Sequence, residues 1–145
     1  MTTNEDIRNI QINVRESFTK SPENALNTSK SYAEVTNALV CTYSEGSRKT
    51  IMDMPTIAGG NDEGPTPGFH ARAAISGCVA IGIKQEAIFR QIKCESIKVE
   101  LEMDFDDSAM FGIGENTAAP LNTRLLIKIV SEDCLLYTSP SPRDS

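Results

Sequence analysis

The chain has 145 residues, 39% hydrophobic and 23% charged, with a net charge of -6; a protein of that size supports one core that buries roughly 70% of the surface exposed by the unfolded chain. No apolar run reaches the ~18 to 20 residues needed to cross a bilayer, and an acidic chain whose 14 Lys and Arg are scattered repels phosphate backbones. Membrane and nucleic acid are therefore excluded as partners, and an opening segment without a basic stretch followed by an apolar one leaves the cytoplasm as the expected location.

Asn4 is the expected cap of a first helix, whose apolar positions Ile7, Ile10, Val14 and Phe18 recur at three- and four-residue intervals and form one stripe. Ser21-Pro22 opens a short helical turn that reaches Leu26. From Ser31 to Tyr43 the residues turn to Tyr, Val and Thr, and Glu45-Gly46-Ser47 separates that run from Lys49 to Met54, which together predict a hairpin. Gly59 to Gly68 is a loop by its four glycines and two prolines, and Pro67 stands in the first turn of a following helix. No Gly-Lys-Ser/Thr ends that loop, so it is no phosphate cradle.

The helix from Phe69 to Ile92 carries Ala74, Cys78, Ile81, Ile88 and Ile92 along one broad apolar face, which predicts a central element. Gly77 and Gly82 flank Cys78 and allow another backbone to approach there. Ile97, Val99, Leu101 and Met103 then alternate with Lys98, Glu100 and Glu102, and Leu125, Ile127 and Ile129 alternate likewise, so both segments read as strands. The order lacks a regular strand-helix alternation, which favours an α+β fold.

Four cysteines stand at 41, 78, 94 and 134 without a CxxC pair, and His70 is the only histidine, so neither a zinc site nor another metal site is expected. In a reducing compartment they read as free thiols. His70 lies eight residues before Cys78, about 12 Å along a helix axis, too far to act on it directly as a base. Asp104, Asp106, Ser108 and Glu115 approach the spacing of a calcium loop, but Ala109 stands where that loop needs glycine, so the segment reads as a solvated acidic turn. The last twelve residues, Cys134 to Ser145, break the strand pattern and look like a translated sequencing-library adapter; they are set aside as non-native. Because the chain then stops directly after a strong strand, C-terminal elements are expected to be missing.

Gly59-Gly60, Gly64-Pro65-Thr66-Pro67, Ala73-Ala74 and Gly77-Cys78 together resemble the OsmC/Ohr family of thiol-dependent hydroperoxide reductases, over about Ser31 to Asp133. The resemblance divides the chain into an N-terminal helical extension, 1–30, an OsmC-like domain, 31–133, truncated at its C-terminus, and the tail, 134–145. It implies an antiparallel sheet packed on a long central helix, an intertwined homodimer, and Cys78 as the peroxidatic thiol that reduces a small apolar hydroperoxide at the expense of a dithiol reductant, with no cofactor. In the peroxidase branches a glutamate after the helix-opening proline orients an arginine from the first strand onto the sulfur. Here that position is Gly68, and Arg48 and Arg72 are the candidate replacements for the arginine. The same resemblance admits a second reading, a non-catalytic dimer of this fold that binds an apolar small molecule.

Overall fold

A computed structural model describes residues 1–132; Cys134 and the rest of the adapter-like tail lie outside them. The chain divides into two compact units, one of residues Ile12–Gly77, the other of Met1–Gln11 with Cys78 onward. Two helices, α1 (Asn4–Lys20) and α2 (Pro67–Phe89), each contribute to both.

The first helical hydrogen bond runs from the Ile7 N–H to the Thr3 carbonyl, so Thr3, and not the expected Asn4, caps α1. The Thr3 hydroxyl accepts the Asp6 N–H at 3.1 Å, and the Asp6 carboxylate accepts the Thr3 N–H at 2.8 Å. That reciprocal pair satisfies two donors a helix start otherwise leaves open. It also holds the Asp6 carboxyl below its ordinary pKa, chiefly through the Thr3 main-chain bond. The stripe of α1 is present as predicted, but Ile10, Val14 and Phe18 on it are exposed. Pro22–Ala25 forms the expected short turn.

The unit of residues 12–77 holds a three-stranded antiparallel sheet of β1 (Tyr32–Asn37), β2 (Val40–Glu45) and β3 (Arg48–Met52) in the order β1-β2-β3. The run expected as one strand from Ser31 to Tyr43 is broken at Ala38-Leu39, where Ala38 adopts a left-handed φ of 48° and reverses the chain. Gly46, at φ 56°, makes the second reversal at the predicted place. Register puts Val35, Cys41 and Met52 side by side on one face, together with Ala33, Tyr43 and Thr50.

In the other unit β4 (Cys94–Asp104) and β5 (Asn122–Ser131) form a two-stranded antiparallel sheet, so the antiparallel pairing expected of the strands is present in two sheets among the described residues. Alternation sorts its faces: Ile97 pairs with Ile129, Val99 with Ile127 and Leu101 with Leu125, while Lys98, Glu100, Glu102 and Arg124 lie opposite. Leu125, Ile127 and Ile129 keep 41–51% of their surface exposed, so each gains about half of the ~2 kcal/mol that full burial brings an aliphatic side chain. Between these strands Asp107–Phe111 forms a short 3-10 turn.

Helix α2 ends at Phe89, short of Ile92, because Gln91 turns left-handed at φ 60°. The Gln91 N–H then reaches the Ile88 carbonyl and the Ile92 N–H the Ala87 carbonyl, closing the helix end. The first turns of α1 grip that end: Arg8 Nε donates to the Phe89 carbonyl and Gln11 Nε2 to the Gln85 carbonyl, both at 3.2 Å. Ala87 and Ile88 are the buried side chains of α2, whereas Phe69, Ile75 and Ile81 are exposed. For the helix expected to be central, full burial among the described residues is thus confined to Ala87 and Ile88 near its end, while Val79 and Ile83 are half-buried. An added Cβ at Gly77 or Gly82 would meet nothing within 4 Å.

Candidate functional site

The loop that precedes α2 is built around Asp53, the residue that follows β3. It is 1% exposed, and its carboxylate accepts the main-chain N–H groups of Met54 at 2.7 Å, Asn61 at 2.9 Å and Glu63 at 3.2 Å. Burial works to raise the pKa of this carboxyl, but the N–H bonds of Glu63, Met54 and Asn61 together outweigh it and hold the value below the ordinary one. The glycines of the loop allow the approach. A Cβ at Gly60 would overlap the Met54 carbonyl, and one at Gly64 would stand 2.6 Å from the Ile51 carbonyl oxygen. The sequence signal at Asp53, a lone acid between a strand and Met54-Pro55 ahead of a Gly-Gly pair, is too weak to single it out.

From that loop the chain passes directly into α2. The Thr66 hydroxyl accepts the Phe69 N–H at 3.2 Å, and Pro67 occupies the first helical position, as its fixed φ favours. Arg72 bends back over this first turn, so that a Cβ at Gly68 would lie 3.1 Å from Arg72 Nη1. His70 stands edge-on to Phe69 with ring centroids 5.6 Å apart, and its Nε2 is buried without a partner among the described residues.

Cys78 lies further along α2 as a free and exposed thiol. Arg48 is exposed at the start of β3, opposite Glu45. It lines a shallow cavity of about 490 Å³ with Tyr43, Lys49 and Thr50. Arg48 and Arg72 belong to the unit of residues 12–77, and Cys78 is the first residue of the other unit's second segment. The two remaining described cysteines are free and half-buried: Cys41 sits within β2, and Cys94 opens β4 with its carbonyl taken by Lys84 Nζ.

Two carboxylates of the acidic turn, those of Asp104 and Asp106, are held by protein partners. Asp104 receives Arg124 Nη1 at 2.6 Å and Nη2 at 2.9 Å, and Asp106 takes the Ser108 N–H and the Asn116 amide at 2.8 Å. Among the described residues no group of three or more His, Cys, Asp or Glu is placed to hold a metal ion. No described helix is long and apolar enough to cross a membrane.

Compared with known families, residues 59–134, just over half of the chain, match the family described as OsmC-like protein. That stretch runs from the Gly-Gly pair through α2 to the end of β5. No curated protein matches the chain.

Proposed function

Because the chain belongs to the OsmC-like protein family, we propose that it reduces organic hydroperoxides through the thiol of Cys78. The observation that carries this reading is a free, exposed cysteine on the long helix of the matched segment. In the reaction the Cys78 thiolate attacks the outer oxygen of the hydroperoxide. The O–O bond breaks, the alkoxide takes up a proton and leaves as alcohol, and the sulfur becomes a sulfenic acid. One thiol of a dithiol reductant condenses with the sulfenic acid and releases water; its second thiol then displaces Cys78 and leaves as an oxidised disulfide.

An unassisted thiol near pKa 8.5 is only ~3% ionised at pH 7, so the first step calls for a cation beside the sulfur. Arg72, carried by the same helix, and Arg48, at the head of β3, are the candidates for that role, and either can come from a second copy in the homodimer that the family reading implies. Purified protein with cumene hydroperoxide and dithiothreitol is expected to consume peroxide, and Cys78→Ser to abolish the consumption. Equal rates for the two proteins would remove the proposal.

A second reading has its own support. Gly68 takes the place of a carboxylate, and α2 leaves Ile75 and Ile81 exposed, the latter at 62%. A non-catalytic dimer that holds an apolar small molecule against this face predicts a ligand retained in native mass spectrometry and no turnover.

A further inference from the structure

We propose that Asp53 is a positioning residue: its buried carboxylate fixes the start of α2 against the end of β3, and so sets the two candidate arginines relative to each other. The proposal rests on the peroxidase reading for its chemistry and on the loop geometry for its physics. A carboxylate at 1% exposure is costly unless its oxygens are satisfied. Here three main-chain N–H groups satisfy them, one from the residue beside it and two from the far side of the loop.

Asp53 also uses its main chain, donating its N–H to the Pro65 carbonyl at 3.3 Å. One residue therefore holds the loop at positions 54, 61, 63 and 65. Position 65 immediately precedes Thr66, the cap of α2. The loop conforms to this grip at some strain: Asp62, between the two distant donors, is left-handed at φ 58°, and its N–H reaches the Met54 carbonyl at 3.2 Å. Gly60 is the one residue type that fits beside that carbonyl.

The joint lies between the elements that carry the arginines. Arg48 begins β3, which ends one residue before Asp53, and Arg72 lies in the second turn of α2. Catalytic groups displaced by about 1 Å can lose about a hundredfold in rate, so a joint of this kind acts on turnover without touching substrate. Replacing the carboxylate by an amide removes the charge and turns an N–H₂ group toward N–H donors. The expected consequence is a loosened loop with both arginines still present.

The test uses the full chain with Asp53→Asn, and with Gly60→Ala as a second route that leaves the carboxylate intact. In both, amide exchange at residues 54, 61 and 63 should accelerate at least tenfold while β4 and β5 keep their protection. The kcat for cumene hydroperoxide should fall at least tenfold with KM within twofold, and the pH profile of Cys78 alkylation should move to higher pH. Faster exchange with an unchanged alkylation profile overturns the proposal, leaving Asp53 a residue of the fold alone. If the unsubstituted protein shows no turnover, the peroxidase reading fails, and the alkylation profile still decides the role of Asp53. If Asp53→Asn does not fold, Gly60→Ala decides by the same readouts.

Discussion

The guanidinium of Arg72 occupies the space into which a side chain at Gly68 would grow, with Nη1 3.1 Å from the ideal Cβ position. Glycine in a helix costs ~0.5 to 1 kcal/mol relative to alanine, and the crowding atom is the far end of a flexible chain that can swing away. Gly68→Ala is therefore expected to stabilise the protein by about 0.5 kcal/mol in urea unfolding. Gly68→Glu should do better at low salt, because a carboxylate there faces Arg72 four residues on and lies in the first turn of α2. If neither variant gains stability, the space beside Gly68 is closed to a side chain.

Acid should loosen the protein at identifiable places. The Asp53, Asp104 and Asp106 carboxyls are all held below their ordinary pKa. At Asp53 burial opposes the shift and the three N–H bonds win; at Asp104 the cause is the Arg124 hydrogen bond, and at Asp106 that of Asn116. A depressed carboxylate contributes stability that is full above its unfolded pKa, about 4, and is lost as pH falls through the lower folded value. Urea midpoints are thus expected to hold steady from pH 7 to about 5 and to fall below about pH 4. Salt at 1 M should weaken the part from the exposed Asp104–Arg124 pair and spare the part from buried Asp53. A midpoint unchanged down to pH 2.5 would contradict the assignment.

Two left-handed residues offer a matched test of backbone strain. Ala38 and Gln91 adopt φ of 48° and 60°, a conformation that costs a residue with a Cβ ~1 kcal/mol. Ala38→Gly and Gln91→Gly should each raise stability by about 0.5 to 1 kcal/mol. Gly46→Ala, at φ 56° with no atom within 4 Å of the added Cβ, should lower it by a similar amount. Opposite signs in any of the three would show that side-chain contacts outweigh the conformational term.

At the start of α1, Thr3→Ala removes the hydroxyl that accepts the Asp6 N–H. The expected cost is about 1 kcal/mol of local helix stability. It should appear as faster amide exchange in the first turn of α1, with the protection of β2 and β3 unchanged.

The sequence exposes some of these elements more readily than others. The strands β4 and β5 are legible because strict alternation leaves one arrangement of faces, and α2 is legible from Pro67 and its capping Thr66. The break between β1 and β2 is hidden, since Ala38-Leu39 carries none of the Gly, Asn or Asp that mark a tight reversal. Thr3 is overlooked beside Asn4 because both are good caps and only the reciprocal bond to Asp6 separates them. Cys78, Arg48 and Arg72 can be singled out as residue types in a family pattern. Asp53 cannot, because its importance arises from donors eight and ten residues away in a loop without periodicity.

On the polar face of β4 and β5 Arg124 reaches both Glu102, directly across from it, and Asp104, diagonally, while Lys128, which faces Lys98, reaches Glu100 on the diagonal. Sliding one strand by two positions would keep every aliphatic side chain on its side and bring those diagonal partners face to face. The apolar pattern alone does not distinguish the native alignment from its neighbour, but the direct Arg124–Glu102 pair belongs to the native one and would be lost in the slide. The ends add to the distinction, where the Leu121 N–H meets the Asp104 carbonyl and the ladder is irregular between Cys94 and Ser96. The hairpin is thus a zipper whose native mesh is marked by one tooth, the Arg124 guanidinium that grips its opposite number and the next acid along.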